Sequence, residues 1–174
     1  LLSIGSPVYA RWAHNMAITV RVMSPNLPIH VVTDGNFPFE PEHANIVDKV
    51  IKMDESDYLK DGKLYPAKAK LSLYDYSEFD ETIYLDVDGC CVRDLNELFD
   101  RCDELGKPFQ VQVNGISTKD KDNLDASLWV KPEQIFEKYE IDDDAGLPGT
   151  NIIFWYFKKF EEGSAFFTKA LENF

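Results

Sequence analysis

A chain of 174 residues is long enough to form one domain with a sizeable hydrophobic core and needs no cross-links for stability. Its hydrophobic content of 44% and aromatic content of 13% are typical of a globular protein and exclude a disordered or fibrous one. The formal net charge of −13, without a run of Lys or Arg, does not provide the basic surface on which nucleic-acid binding depends. We therefore expect neither DNA nor RNA as a partner.

The cysteines and the apolar runs indicate in which cellular compartment the protein is expected. Cys90, Cys91 and Cys102 are odd in number and match neither a disulfide framework nor a zinc site, which predicts reduced thiols. No stretch reaches the roughly 18 consecutive apolar residues of a membrane span, and residues 1–5 are too short and uncharged for a signal peptide. The sequence therefore predicts a cytoplasmic protein without a membrane span.

The predicted elements alternate between strands and helices. Short apolar runs bounded by turn residues predict strands, and apolar residues at helical spacing predict helices. In chain order we expect a strand at 1–5, a helix at 12–20, strands at 29–35 and 46–53, a helix at 67–77, a strand at 82–85, a helix at 95–101, a strand at 109–113, a helix at 132–139, a strand at 151–157 and a helix at 161–174. This order predicts an α/β fold with a mainly parallel sheet, helices on both faces and ligands at the carboxyl ends of the strands.

The strand predicted at 82–85 is followed by two carboxylates, Asp86 and Asp88. Side chains alternate along an extended chain, so both carboxylates are expected on the same side. Two negative charges at such a short distance repel each other unless a cation lies between them, and carboxylate oxygens suit Mg²⁺ or Mn²⁺. The pair therefore predicts a divalent metal site, and a solvated turn after an edge strand is the alternative.

Two known families share this local pattern. The pair resembles the Asp-X-Asp motif that ends a central strand in glycosyltransferases of the GT-A fold. It also resembles the Asp-X-Asp-Gly of haloacid dehalogenase-like phosphatases, because Gly89 follows. The phosphatase interpretation makes Asp86 the nucleophile and Asp88 the general acid, and needs a downstream lysine and acidic pair, for which Lys131 and residues 143–144 are candidates. It leaves the 85 residues before Asp86 unexplained.

The residues around the acidic pair resemble glycosyltransferase family 8, glycogenin included. In that family a Lys-Leu pair precedes the first aspartate by about sixteen residues, and here Lys70-Leu71 precedes Asp86 by 16, since 86 − 70 = 16. The family also has a segment of the type Asp-Leu-x-Glu-Leu-Phe-Asp after the motif, which residues 94–100 match. Weaker similarity extends to residues 3–6, 13–17, 27–34 and 148–154.

The resemblance implies a Rossmann-like GT-A fold, with residues 1–174 forming a single nucleotide-sugar-binding domain that lacks a carboxyl-terminal portion. It implies a metal-dependent hexosyltransferase that uses a nucleotide diphosphate sugar, specifically a uridine diphosphate sugar, and retains the anomeric configuration. The acceptor, whether a sugar, a protein or a lipid, is not specified by the sequence. A non-catalytic nucleotide-sugar-binding remnant of the same fold is a further alternative.

The resemblance also assigns site residues. It implies that Asp86 and Asp88 bind Mn²⁺ or Mg²⁺, that Asp88 also contacts the ribose, and that Lys70 acts with them on the diphosphate. The nucleotide is expected against Ser3, Gly5, Ser6 and Asp34, and the sugar against Thr150 and Asn151. Loop candidates are Asp122, Asp125 and Asp144.

Two further expectations concern histidine and tryptophan. Family members commonly have a histidine near the carboxyl end as a third metal ligand. Here His14, His30 and His43 all lie in the amino-terminal quarter, so the third ligand stays unassigned. Trp12 and Trp155 lie in apolar periodic segments, which predicts that both belong to the core.

Overall fold

The computed structural model describes residues 1–35, 45–118, 132–142 and 145–172. Strands and helices alternate along most of this length, with a short 3-10 turn at Glu55–Asp57. The elements are β1 (Leu2–Ser3), α1 (Pro7–Met23), β2 (His30–Thr33), β3 (Lys49–Lys52), β4 (Leu59–Lys60), β5 (Lys63–Leu64), α2 (Pro66–Tyr76), β6 (Glu81–Leu85), α3 (Asn96–Leu105), β7 (Phe109–Ser117), α4 (Pro132–Tyr139), β8 (Leu147–Lys158) and α5 (Glu161–Glu172).

The first sheet has the order β1-β2-β3, and both strand pairs are parallel. Leu2 is paired with Val32 of β2, and Val32 is paired with Ile51 of β3. The parallel pairing agrees with the order of elements in the sequence, because parallel neighbours need a crossover segment between them. The α/β prediction is confirmed.

Helix α1 covers this sheet. Pro7 occupies its first turn, where the missing N–H costs nothing, and Ser6 caps it by accepting the N–H of Val8 at 3.4 Å. One face of the helix is buried, and it belongs to a cluster that also includes residues of β2 and the start of the segment after β6. The cluster consists of Ala13, Met16, Ala17, Val20, Ile29, Val31, Val47 and Val87.

The core prediction is wrong for Trp12, whose side chain is 39% exposed. Trp12, Met16 and Val20 are spaced by four residues, and each such step rotates by about 40° around the helix axis. Trp12 therefore lies about 80° from Val20 and falls outside the buried face. Trp155 is 3% exposed, and its core prediction is confirmed.

The structure adds a short antiparallel hairpin between β3 and α2, where the sequence analysis expects no strand. Strands β4 and β5 pair Leu59 with Leu64 and Lys60 with Lys63. The two residues between them, Asp61 and Gly62, both have positive φ, at 52° and 71°. Asp-Gly is a favoured sequence for such a two-residue turn, so the signal was present in the sequence.

The chain forms two compact units, Leu1–Phe109 with Tyr156–Phe174, and Gln110–Trp155. A further sheet has three strands in the order β6-β8-β7. Both β7 and β8 are longer than the strands predicted from the sequence. The first unit contains an aromatic cluster in which Tyr74 of α2 stacks on Phe167 of α5, with ring centroids 4.5 Å apart.

Within the described residues, none of the helices combines the length and the apolar character that crossing a membrane requires.

Candidate functional site

The centre of the candidate site is the carboxylate of Asp86, which directly follows β6. Lys70 of α2 lies against it, with the ammonium 2.7 Å from Oδ1 and 2.8 Å from Oδ2. Both side chains are mostly covered, since 21% of Lys70 and 24% of Asp86 is exposed. The 16-residue spacing in the sequence therefore corresponds to a direct ion pair.

A buried tyrosine supports this ion pair from within the strand. Tyr84 is 3% exposed, and its hydroxyl donates to Oδ1 of Asp86. The ammonium of Lys70 lies 5.5 Å from the centroid of the Tyr84 ring, within the range of a cation–π interaction. Burial raises the pKa of Tyr84 well above its ordinary value, and the carboxylates of Asp86 and Asp88 add to this increase. The phenol is therefore protonated and acts as a donor.

The backbone at Asp88 differs from the extended conformation that the expectation for the acidic pair assumes. β6 ends at Leu85, and the chain turns at Val87 and Asp88 instead of continuing as an extended strand. Val87 points into the cluster beneath α1, whereas Asp88 is exposed. Alternation along a strand thus does not determine the direction of Asp88. Both carboxylates nevertheless contribute to raising the pKa of the Tyr84 phenol, Asp86 more than Asp88.

Asp86 and Asp88 are candidate ligands for a divalent cation. Across the described ranges, no three His, Cys, Asp or Glu side chains come together in a group that could hold a metal ion. Asp86 and Asp88 are thus two carboxylates without a third such side chain among the described residues, and each can offer one or both of its oxygens. Mg²⁺ is commonly held by one or two carboxylates with waters and substrate phosphates, and Mn²⁺ accepts the same oxygen ligands. The pair therefore fits a cation that is shared with a diphosphate.

The residues predicted to contact the nucleotide lie together at the carboxyl ends of β1 and β2. The N–H of Gly5 donates to Oδ2 of Asp34 at 2.8 Å, and this bond ties the two strand ends together. Asp34 is 5% exposed and Ser3 is fully buried, whereas Gly5 is exposed. The hydroxyl of Ser6 is used as the cap of α1. The accessible part of this group is therefore the backbone at Gly5.

Sequence reasoning missed an aromatic pair beside this group. Tyr9 and Trp12 are each 39% exposed, and their rings meet edge to face with centroids 5.4 Å apart. The N–H of Tyr9 donates to the carbonyl of Ser6 at 3.0 Å, which places the pair on the first turns of α1. Exposed aromatic faces can stack on a nucleotide base. The sequence signal for this pair is the spacing of three residues between Tyr9 and Trp12, which places both rings on one side of a helix.

Several predicted residues cannot be placed at the site. Thr150 and Asn151 lie on β8 in the second unit, and their side chains are outside the part of the structure that is described. The loop candidates at positions 122, 125 and 144 and the phosphatase candidates at 131, 143 and 144 lie outside the described residues. Their roles stay predictions.

A cavity of about 390 Å³ lies elsewhere in the first unit and has a mostly apolar lining. Tyr84 contributes to its lining, but among the described residues the lining does not include Lys70, Asp86 or Asp88. Its polar lining groups include His30, Glu81 and two aspartates of α3. A diphosphate would meet several carboxylates there, so we do not assign the donor to this cavity.

Solved structures of glycosyltransferases share the fold. The chain is similar to galactosyltransferase LgtC in complex with donor and acceptor sugar analogs, with a TM-score of 0.54 and 14% identity over 99% of this chain and 64% of LgtC. An active-site mutant of LgtC gives a TM-score of 0.55 and 15% identity over the same shares of the two chains. Mouse xyloside xylosyltransferase 1 in its apo form gives 0.53 and 16%, over 98% of this chain and 70% of that protein.

These similarities establish the mixed α/β architecture of the GT-A glycosyltransferases for this chain. The chain spans 64% of the length of LgtC. Neither a protein-family model nor a curated protein matches the sequence.

Proposed function

We propose that this chain is the nucleotide-sugar-binding core of a metal-dependent glycosyltransferase. The reaction would transfer a hexose from a uridine diphosphate sugar to a sugar, protein or lipid acceptor, with retention of the anomeric configuration. The observation that carries the proposal is the Lys70–Asp86 ion pair at the end of β6, beside Asp88. The similarity of the fold to solved glycosyltransferases supports it.

In this proposal, Asp86 and Asp88 hold Mn²⁺ or Mg²⁺ against the diphosphate. When bound there, the cation supplies a Lewis acid for the charge that develops on the leaving diphosphate. Lys70 provides a mobile positive charge for the phosphate oxygens, which an acidic chain needs in order to retain an anion. The exposed backbone at Gly5 allows the nucleotide to approach the ends of β1 and β2 closely.

The metal assignment is tested by calorimetric titration with uridine diphosphate, with and without Mn²⁺. We expect binding that depends on Mn²⁺ and that is abolished in Asp88→Asn. Because Asp88 is exposed and lies in a turn, the variant should keep the melting temperature of the wild type. An unchanged affinity for Mn²⁺ and nucleotide in Asp88→Asn would contradict the assignment.

Two activity assays separate the proposal from the alternatives. A glycosyltransferase should consume a uridine diphosphate sugar with Mn²⁺ and leave simple phosphate esters intact. Phosphate-ester hydrolysis that Asp86→Asn abolishes would instead favour the phosphatase with Asp86 as nucleophile. Nucleotide binding without any donor turnover, either transfer or hydrolysis, would indicate a non-catalytic remnant.

A further inference from the structure

The ammonium of Lys70 is bound to the same carboxylate that the proposed function assigns to a divalent cation. It contacts both oxygens of Asp86, at 2.7 Å and 2.8 Å. A cation that binds Asp86 must therefore share these oxygens with Lys70 or replace it. Two cations so close together repel each other, and the limited exposure of the pair weakens the screening by water.

The two partners of Asp86 differ in their freedom to move. Tyr84 belongs to β6, is buried, and donates to Oδ1 from within the strand. Lys70 reaches Asp86 from a different element, α2, on a flexible four-carbon stem. Lys70 is therefore the partner that can leave the carboxylate, while Tyr84 keeps Asp86 oriented.

A diphosphate offers Lys70 a replacement for Asp86. Phosphate oxygens are strong acceptors for an ammonium group, and a diphosphate bound through the cation would bring them next to the ion pair. When Lys70 moves to the phosphate, a charge-assisted contact with a phosphate oxygen replaces the one with Asp86. This move also releases the oxygens of Asp86 for the metal.

We propose that Lys70 couples the binding of the divalent cation to the binding of the diphosphate. When Lys70 binds the phosphate, it leaves Asp86, and the cation then binds the oxygens of Asp86. This inference rests on the proposed function and specifies how its site is loaded. Coupling between two ligands is reciprocal, so the factor by which the nucleotide increases Mn²⁺ affinity equals the factor by which Mn²⁺ increases nucleotide affinity. Lys70 sets part of that factor.

The test measures free Mn²⁺ by electron paramagnetic resonance during titration of the full chain, with and without uridine diphosphate. Lys70→Met removes the competing charge and keeps the apolar stem. We expect it to bind Mn²⁺ without nucleotide more tightly than the wild type, by roughly five- to a hundredfold. The same variant should bind uridine diphosphate more weakly, so the coupling factor decreases.

Two further variants separate charge from side-chain packing. Lys70→Arg retains a positive charge near Asp86, and its Mn²⁺ affinity without nucleotide should stay close to that of the wild type. Lys60→Met removes an exposed lysine of the β4–β5 hairpin and should change neither affinity. Lys68 is not a suitable control, because its ammonium donates to the carbonyls of Ser56 and Leu59.

The outcomes distinguish this inference from the proposed function. If the wild type binds Mn²⁺ together with uridine diphosphate, but Lys70→Met binds Mn²⁺ no more tightly without nucleotide, the coupling role is wrong and the metal site stands. Equal behaviour of Lys70→Arg and Lys70→Met would also overturn the role, because charge would not be its cause. If the wild type binds no Mn²⁺ with or without nucleotide, the proposed function itself fails.

Discussion

Gly5 is the residue at the end of β1 where both conformation and space select glycine. Its φ is +81°, in the left-handed region that favours glycine, and its N–H donates to the buried carboxylate of Asp34. A Cβ at this position would lie 2.4 Å from Cδ2 of Leu64. A larger residue would therefore strain the backbone and displace a neighbouring side chain.

We expect Gly5→Ala to lower the free energy of unfolding by more than the left-handed backbone cost of about 1–2 kcal/mol, because Leu64 must also move. Gly62→Ala is the matched control. Gly62 has a φ of +71°, and a Cβ there would meet no atom within 4 Å. Urea denaturation of both variants gives the comparison. Equal losses would mean that the contact with Leu64 costs nothing.

At the scale of elements, helices α2 and α5 are joined by the aromatic cluster of the first unit. Phe167 is 1% exposed and lies among Tyr74, Phe109 and Phe157, at centroid distances of 4.5 Å, 5.5 Å and 5.8 Å. The hydroxyl of Tyr74 donates to the carbonyl of Phe160 at 2.9 Å, just before α5 begins. This cluster holds α5 against the helix that carries Lys70.

The adjacent residue on α5 provides a control for this packing. We expect Phe167→Ala to lower the free energy of unfolding by about 3–5 kcal/mol, because it leaves a cavity among rings. Phe166 is 49% exposed, so Phe166→Ala should cost clearly less. Thermal and urea unfolding of the two variants measure the difference. Equal destabilisation of the two variants would contradict the view that the buried position of Phe167 sets the cost.

A second connection ties the end of α1 to the start of β2. Oδ2 of Asp48 accepts the N–H of Ile29 at 2.7 Å and the guanidinium of Arg21 at 2.6 Å. Burial by itself raises the pKa of Asp48, but the Ile29 N–H and the Arg21 guanidinium outweigh it and hold the pKa below its ordinary value. The ionised carboxylate is therefore the form that stabilises the fold.

This connection predicts a pH dependence of stability. A lowered pKa in the folded state gives a contribution that is complete above the unfolded carboxyl value of about 3.9 and is lost as the pH falls through the folded value. We expect Asp48→Asn to melt below the wild type at pH 7, with a difference that shrinks on acidification below about pH 4. Melting temperatures across this range test it. A constant difference would mean that the charge of Asp48 has no role.

At the scale of the whole molecule, the net charge of −13 opposes the binding of an anionic donor. The long-range part of this repulsion is screened by salt, whereas contacts in a partly covered site are screened less. Local positive charge near Asp86 must therefore act against the overall field. The ammonium of Lys70 and a bound cation are the sources of positive charge that the proposed function uses.

The overall charge makes the salt dependence of nucleotide binding informative. With the metal chelated, we expect the affinity for uridine diphosphate to be weak and to increase from low to physiological ionic strength, because salt screens the repulsion. Uridine, which has no phosphate, is the control and should be insensitive to salt. Titrations at several salt concentrations measure both. A metal-free affinity for uridine diphosphate that falls with salt would show that local positive charges dominate.

The sequence by itself determined the main strands and helices, apart from the β4–β5 hairpin, and the position of the acidic pair. The predicted order of strand, helix and strand over residues 1–35 indicates the parallel pairing of β1 with β2, because parallel neighbours require a crossover segment. The spacing between Lys70 and Asp86 selected the two residues that pair in the structure. The sequence also contains the signal for the turn at Asp61-Gly62, because the conformation of a two-residue turn depends mainly on those two residues.

Only the tertiary structure decided what surrounds these residues. The oxygens of Asp86 are bound by Tyr84 and Lys70, the latter from another element, and the carboxylate of Asp34 is bound by the N–H of Gly5, 29 residues away. Trp12 is exposed because it falls outside the face of α1 that packs on the core. Periodicity specifies the local conformation of a segment and the side on which a residue lies. The partners of a side chain depend on distant segments that meet only in the folded chain.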